Sequence, residues 1–464
     1  MSAILEKSFQ ELYPNYQQTQ VIDSLRKREF ARLDRRGHVY LDYTGSGLYA
    51  DSQVKRHSEW LLSNVLGNPH SENPSSKPST EAVESCRRYV LKFFKAAPSE
   101  YEVVFTANAS HALKLVGESY PFKPGGKLLL TFDNHNSVNG IREYHRARGS
   151  STSYVPLTLP ELRVSEEELD RHLAQADPSF NNLFAYPAQS NFSGVRHPLE
   201  WIEKAQEKGW DVLLDAAAFV PTGQLDLSKY HPDFVALSFY KMFGYPTGVG
   251  ALVARKKALE KLHRPWFAGG TIRMASVKSD RFLPAELPAV FEDGTLDFLN
   301  IPAVELGLKL IESVSYDVLG NRVKMLTGWL LKNLMSLKHG NGNPLVSIYG
   351  PTCCKNRGST IALNFLCPDG RQIDHAVVES RAKERNISVR TGCFCNPGAG
   401  ELCLGISEER MNECMDQSVR GDTCLDIRRC LDPMGIGAIR VSFGLVSNRA
   451  DAEAFLELSR TFLK

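Results

Sequence analysis

From residue 101 to residue 254 the chain repeats one pattern, in which short apolar runs alternate with stretches of helical spacing. The runs "EVVFT", "KLLLTF", "NLFAY", "DVLLDAAAF", "FVALSFY" and "VGALVA" read as strands with little polar alternation. Segments such as "SHALKLVGESY" and "HPLEWIEKAQEKG" place their apolar residues at helical spacing between several of them. Strands apolar on both faces and joined by helices belong to a mainly parallel sheet covered on both sides. That pattern alone predicts an α/β fold.

After residue 300 the pattern changes. Two long helical stretches, "PAVELGLKLIESVS" and "LGNRVKMLTGWLLKNLMSL", precede a Gly/Pro/Cys-rich region that contains "STIALNFL", "QIDHAVVESRAKERN" and "GAIRVSFGL" and closes on "DAEAFLELSRTFL". This mixture predicts a second, smaller α+β domain. A chain of 464 residues is also too long for one ordinary core. The expected division is a large domain over 36–318 and a small C-terminal domain over 319–464, with the N-terminal segment 1–35 packing on the small one.

Formal charge of +2 points away from nucleic acid as a partner. No apolar run approaches a membrane span, and "MSAILEKSFQELYPNY" has no apolar core of a signal peptide, so a cytoplasmic protein is expected. Nine of the ten cysteines lie after residue 350, at 353, 354, 367, 393, 395, 403, 414, 424 and 430. In a chain this long they are expected to be mostly free thiols rather than a disulfide framework.

Ligands of open α/β sheets sit beyond the carboxyl ends of the strands. Four segments put polar residues there. In "FTANASHALK", Asn108, Ala109 and Ser110 open a helix after a strand, which suits an anion such as phosphate, or a plain helix cap. Asp215 follows "VLL", where a carboxylate calls for a cation such as a protonated ring nitrogen, unless it only caps a turn. In "FVALSFYKMFGYPTGVGAL", Lys241 sits among aromatic residues that would lower its pKa and let it condense with an aldehyde; a snorkelling surface lysine is the bland alternative. Ser238 and Tyr240 beside it add phosphate donors. His135 in "FDNHNSV" could stack on a planar cofactor or move protons, or be merely structural. Anion nest, buried acid, lysine and histidine together are the parts that hold pyridoxal 5'-phosphate and use it as an electron sink.

These residues resemble the class V aminotransferase superfamily of fold-type I pyridoxal-phosphate enzymes and, within it, the cysteine desulfurase domain of molybdenum cofactor sulfurases. The resemblance is carried by "YLDYTGSGLY", "GNPHS", "FAYPAQSNFSGVRHPLEWI", "LLDAAAFVPTGQLDLSKYHPDFVALSFYKMFGYPTGVGAL", "FEDGT", "RTGCFCNPGA" and "GAIRVSFG". It implies a seven-stranded, mainly parallel sheet in the large domain. It implies that Lys241 carries the cofactor, Asp215 faces its pyridine nitrogen, His135 stacks on its ring and Asn191 lies near its phenolic oxygen. Ser110, Ser238 and Tyr240 then serve the phosphate, and Thr295 of "FEDGT" reaches it from the partner subunit of a homodimer with shared active sites. Arg440 matches the arginine that clamps the carboxylate of L-cysteine or a related sulfur amino acid, and Arg390 supports the same site. No metal is implied.

The loop "SVRTGCFCNPGAG" leaves metal binding, a disulfide or sulfur carriage open by itself. The scattered late cysteines argue against a metal, and the strain of an i,i+2 bridge argues against a disulfide. Under the resemblance, Cys395 aligns with the persulfide-carrying cysteine and Cys393 is its local rival. A mobile, glycine-flanked loop is expected to carry the thiol in and out. Two departures stand out: Ala218 replaces the glutamine or histidine of iron–sulfur desulfurases, and Gly400 replaces the last cysteine of the family's usual "CNPGAC". A sulfurase would continue past Lys464 into a domain that binds the molybdenum cofactor, so a sulfur-acceptor domain or protein is expected as partner. The alternative activity is a carbon–sulfur β-lyase, or a related epimerase or cyclase, that needs no persulfide carrier.

Overall fold

A computed structural model describes residues 9–69, 71–419 and 437–464. The main sheet has seven strands: β1 (Tyr101–Thr106), β2 (Leu128–Thr131), β3 (Thr152–Val155), β4 (Leu183–Pro187), β5 (Asp211–Asp215), β6 (Phe234–Ser238) and β7 (Gly250–Arg255). Their spatial order is β1-β7-β6-β5-β4-β2-β3. Neighbours pair in parallel from β6 across to β3, and only β7 runs antiparallel to its two neighbours. Every residue of β2, β4 and β6 is buried, which is why these strands read as continuous apolar runs. One apolar core lies on each face of the sheet, the larger built around Phe184, Tyr186, Leu214 and Leu237, the other around Leu130, Ala185, Leu213 and Ala236.

This topology brings the candidate residues to one end of the sheet. Asp215 ends β5, Ser238 ends β6, and the loops after β2 and β4 carry His135 and Asn191. The first residue of β7, Gly250, pairs with both Thr106 and Ser238, so the end of β1 and Asn108 beyond it come to the same edge. A Cβ on Gly250 would lie 2.5 Å from Asn108 Cα and 2.6 Å from the Leu237 carbonyl, so only glycine permits that approach.

A second sheet, antiparallel throughout, contains β8 (Val346–Tyr349), β9 (Thr360–Phe365), β10 (Arg390–Gly392) and β11 (Ala438–Ser442) in the order β8-β9-β11-β10. Its core joins Ile361, Leu363, Val441 and Phe443 to Leu326 and Trp329 of the helix Tyr316–Ser336, Phe455 of the helix Arg449–Arg460, and Phe9, Ile22, Leu25 and Phe30 near the N-terminus. Arg322 fastens that N-terminal segment through Asp23, at 2.6 and 2.9 Å, and the Thr19 carbonyl at 2.7 Å. Among the described residues no helix is long and apolar enough to cross a membrane. Cys86, Cys353, Cys354, Cys367, Cys395 and Cys403 are thiols, and Cys414 is disulfide-bonded. Cys424, Cys430 and the histidine of "GNPHS" lie outside the described residues.

Candidate active site

Strand β6 stops at Ser238 and gives way to a one-turn helix, Phe239–Phe243, which carries Tyr240 and Lys241. Gly244 ends that turn at φ +77°, and a Cβ there would meet the Leu48 and Tyr49 backbone at 2.4 Å. Lys241 thus projects into a cavity of about 160 Å³ beyond the strand ends, with Asp215, His135, Asn191 and Ser110 among the other walls. At its far side the helix Ala109–Ser119 begins. Asn108 caps it by accepting the His111 N–H at 3.0 Å, Ser238 Oγ accepts the Ala109 N–H at 2.8 Å, and Ser110 Oγ meets Ser137 Oγ at 2.6 Å. Hydroxyls and a helix N-terminus therefore face the cavity from one side, and a carboxylate from another.

Burial pushes the Lys241 ammonium below its ordinary pKa; Asp215 opposes that shift and Arg440 reinforces it. Among the described residues neither Lys241 nor Asp215 has an ion-pair partner. Asp215 is buried at 8 % exposure, and its carboxylate accepts a hydrogen bond from the Ala217 N–H at 3.0 Å. A buried carboxylate without a resident cation is costly unless a cationic group enters the cavity. His135 is also held below its ordinary pKa by burial, with Asp215 pulling up and Lys241 and Arg440 pushing down. Its Nδ1 accepts the Ser137 N–H at 3.1 Å, so the neutral ring carries its proton on Nε2.

Arg440 is engaged at both terminal nitrogens. Nη1 donates to the Asn191 carbonyl and Nη2 to Asp42 Oδ1, each at 3.0 Å. Among the described residues the buried Nε has no hydrogen-bond partner. Asp42 and the Asn191 carbonyl each take one N–H of the guanidinium, and among the described residues the rest of the fork expected from the sequence is open. The other oxygen of Asp42 accepts from Arg390 Nη2 at 2.6 Å and Nε at 3.0 Å. Arg390 and Arg440 face each other across β10 and β11, where like charges repel, so Asp42 neutralises a pair that the sheet forces together. Asp42 belongs to the "YLDYTGSGLY" motif and, like Asp215, is a carboxylate that follows a short apolar strand.

The cysteine loop is docked through its backbone. The Cys395 carbonyl accepts the Asn136 N–H at 2.8 Å and the Phe394 carbonyl accepts Asn191 Nδ2 at 2.7 Å. Asn191, expected near a cofactor oxygen, thus lines the cavity while its amide holds this loop. Cys395 itself is exposed and close enough for a thiolate there to favour the charged forms of Lys241, Arg440 and Arg390. Cys393 and Cys395 form no disulfide with each other. Cys393 lies against Gly400, whose Cβ would be 3.6 Å from Cys393 Cβ and Sγ. Thr295 is outside the cavity, in an open surface pocket with Gly269, Gly270 and Asn68, whose Nδ2 donates to it at 3.3 Å. Sequence reasoning missed Asp42, Asn136 and Asn396, and the last two had no local signal beyond a polar loop.

The donor set fits pyridoxal phosphate: an amine that condenses with an aldehyde, an unpaired carboxylate for a pyridinium nitrogen, an imidazole for the ring face, and hydroxyls at a helix N-terminus for phosphate. The profile of the Aminotransferase class-V family matches residues 39–455. A molybdenum cofactor sulfurase of Arabidopsis thaliana is 36 % identical over 98 % of this chain and 60 % of its own length. That of Bos taurus is 39 % identical over 97 % of this chain and 53 % of its own. The chain therefore spans between half and three fifths of the length of these relatives. Among solved structures, a cysteine desulfurase of Thermococcus onnurineus superposes with a TM-score of 0.77 at 24 % identity, covering 95 % of this chain and 98 % of its own. One from Escherichia coli gives 0.73 at 18 %, covering 96 % and 99 %.

Proposed function

The chain belongs to the aminotransferase class-V family, and from that membership we propose that it is a pyridoxal-phosphate-dependent cysteine desulfurase whose sulfur is destined for the molybdenum cofactor. The observation that carries the reading is Cys395, an exposed thiol docked beside Asn136 and within electrostatic reach of Lys241 and Arg440. Bound at Lys241, pyridoxal phosphate supplies the electron sink that weakens the carbon–sulfur bond of L-cysteine. The protein's own residues do the rest. Asp215 keeps a ring nitrogen protonated, His135 covers the ring, and Ser110, Ser238 and Tyr240 serve the phosphate. Arg440 offers the N–H groups that Asp42 and the Asn191 carbonyl leave open to the substrate carboxylate, with Arg390 beside it across the strand pair. Cys395 takes the sulfur as a persulfide, and alanine leaves. The resemblance to molybdenum cofactor sulfurases supports the destination of the sulfur, an acceptor domain or protein that binds that cofactor, and we read the setting as cytoplasmic. We read the chain as divided into 36–318 and 319–464, with the N-terminal segment allied to the second, whose core takes in Phe9, Ile22, Leu25 and Phe30.

A homodimer with shared sites is part of this reading. Thr295 is exposed and away from its own chain's cavity, as a residue serving a neighbour's phosphate would be. The hairpin Ile272–Ser276/Arg281–Pro284 exposes Met274, Phe282 and Leu283, with Trp266 and Phe267 also exposed nearby in sequence, as an interface would. Mixing inactive Lys241→Ala subunits with impaired Thr295→Ala subunits should restore part of the activity, because the site that keeps Lys241 then receives Thr295 from its neighbour, and a monomer at working concentration would refute the shared site.

The function is tested by giving the purified protein L-cysteine and following alanine, free sulfide and protein-bound persulfide together. Cys395→Ser should still bind L-cysteine yet form no persulfide and almost no alanine, while Cys393→Ser retains much of both. Alanine or pyruvate formed at the full rate with both cysteines removed would establish a lyase instead.

A further inference from the structure

The turn that carries Cys395 is built against the preferences of its residues. Asn396 closes it by donating its N–H to the Cys393 carbonyl at 3.0 Å, and both central residues, Phe394 and Cys395, have φ of +56°. Positive φ at both central positions is the domain of Gly, Asn and Asp, because any other Cβ crowds the following carbonyl. Phenylalanine and cysteine keep that geometry only where the surroundings over-determine it, and such strain concentrates at functional sites.

Here the surroundings can be named. Asn396 is fully buried, and its Nδ2 donates to the Asp133 carbonyl at 2.7 Å and to Asn191 Oδ1 at 2.9 Å. Its Oδ1 accepts the Ala399 N–H at 3.3 Å and so starts the helix Pro397–Leu404. Asn191 completes the chain by donating to the Phe394 carbonyl. The Phe394 ring is buried, 4.8 Å beneath the Arg440 guanidinium and 5.3 Å from the Phe192 ring. Cys395 is the one exposed residue between two buried ones.

We propose that Asn396 is a positioning residue for sulfur transfer: through Asn191 and Asp133 it latches the strained turn and so fixes Cys395 beside Asn136 and Lys241. This rests on the reading of Cys395 as sulfur acceptor. In the step it serves, a bond forms between Cys395 Sγ and the sulfur of the substrate, and the substrate's Cβ–S bond breaks. The electron pair of that bond stays with the substrate, which takes one proton and leaves as alanine. The attacking thiolate must meet a sulfur held in the cavity, so its rate depends on where the turn holds it. L-cysteine is bound at Lys241 and Arg440 rather than by the Cys395 thiol.

The test compares Asn396→Ala and Asn396→Asp holoenzymes with the wild type. The aspartate keeps the helix-capping oxygen but sets oxygen against oxygen at Asp133 and Asn191, which separates the latch from the cap. Amide hydrogen exchange of the peptide 393–404 should quicken at least tenfold in both variants. Single-turnover persulfide formation at saturating L-cysteine should slow at least tenfold. The L-cysteine concentration that half-saturates the cofactor's absorbance change should stay within twofold. Exchange and persulfide rates within twofold of wild type in Asn396→Asp would overturn the latch, even if Asn396→Ala fails to fold. Wild-type protein that forms no persulfide on Cys395 while the exchange result holds would overturn the proposed function, and with it the catalytic role of the latch.

Discussion

Replacing Asp42 by asparagine tests the charge balance around Arg440. Asp42 is 6 % exposed and Arg440 4 % exposed, and a single carboxylate serves both Arg440 and Arg390. Asparagine keeps the shape and removes the charge, leaving the Arg440 guanidinium buried beside a second cation. Breaking a buried pair from one side costs about 3–5 kcal/mol. Arg390 is half-exposed and water screens its share, so the lower figure, about 3 kcal/mol, is expected. With an unfolding entropy of roughly 2 cal/mol/K per residue, that lowers the melting temperature by about 3 °C if the chain unfolds as one unit, and by more if the small sheet melts separately. The deciding measurement is a double-mutant cycle by calorimetry with Arg440→Gln. In the double variant the Asp42→Asn change no longer strands a buried charge at position 440, so the combined cost should fall about 2 kcal/mol short of the sum of the singles. Additivity within 0.5 kcal/mol (about the usual error of such cycles) would show that Asp42 does not compensate Arg440.

Burial keeps the His135 pKa below 6.5, so the folded ring stays neutral at pH 7 while the unfolded chain takes up a proton as pH falls through 6.5. Stability should therefore drop as pH falls from about one unit above that value to about one unit below it, and His135→Asn should flatten the dependence of melting temperature on pH. His111, His145 and His172, lowered in the same way, keep it from vanishing. Gly400→Cys restores the family's cysteine with its Cβ 3.6 Å from Cys393 Cβ, inside the range for a disulfide, so mild oxidation should give a crosslinked 393–400 peptide that reducing agent releases. Gly244→Ala drives a Cβ into the Leu48 and Tyr49 backbone at a positive φ, and should lower stability by about 3 kcal/mol and loosen cofactor retention at Lys241, read by urea titration and by absorbance.

Local sequence is enough to specify six of the seven strands of the main sheet and the residues at their ends, whereas the edge strand β3 (Thr152–Val155) is mostly polar and only partly buried and leaves no apolar run to read. Each of the six is a local apolar run whose burial on both faces leaves a one-dimensional signature, and Asp215, Ser238 and Lys241 lie by position at or just past a strand end. Helix boundaries are less legible: "SENPSSKPS" reads as a loop, yet the helix Ser76–Phe93 begins inside it, since its first turn is polar and carries no apolar stripe. The one-turn helix under Lys241 is equally hidden, being shorter than a helical period can reveal. How distant segments share charges and amides emerges only when the chain is folded. Asp42 meets Arg390 and Arg440 across 348 and 398 residues, and Asn191 meets Asn396 across 205. No local pattern encodes such pairs, because each depends on segments far apart in the chain being brought together. The conformation of the cysteine turn belongs to the same class: Phe394 and Cys395 have no intrinsic preference for positive φ, and adopt it because Asn191, Asn396 and Arg440 hold them there.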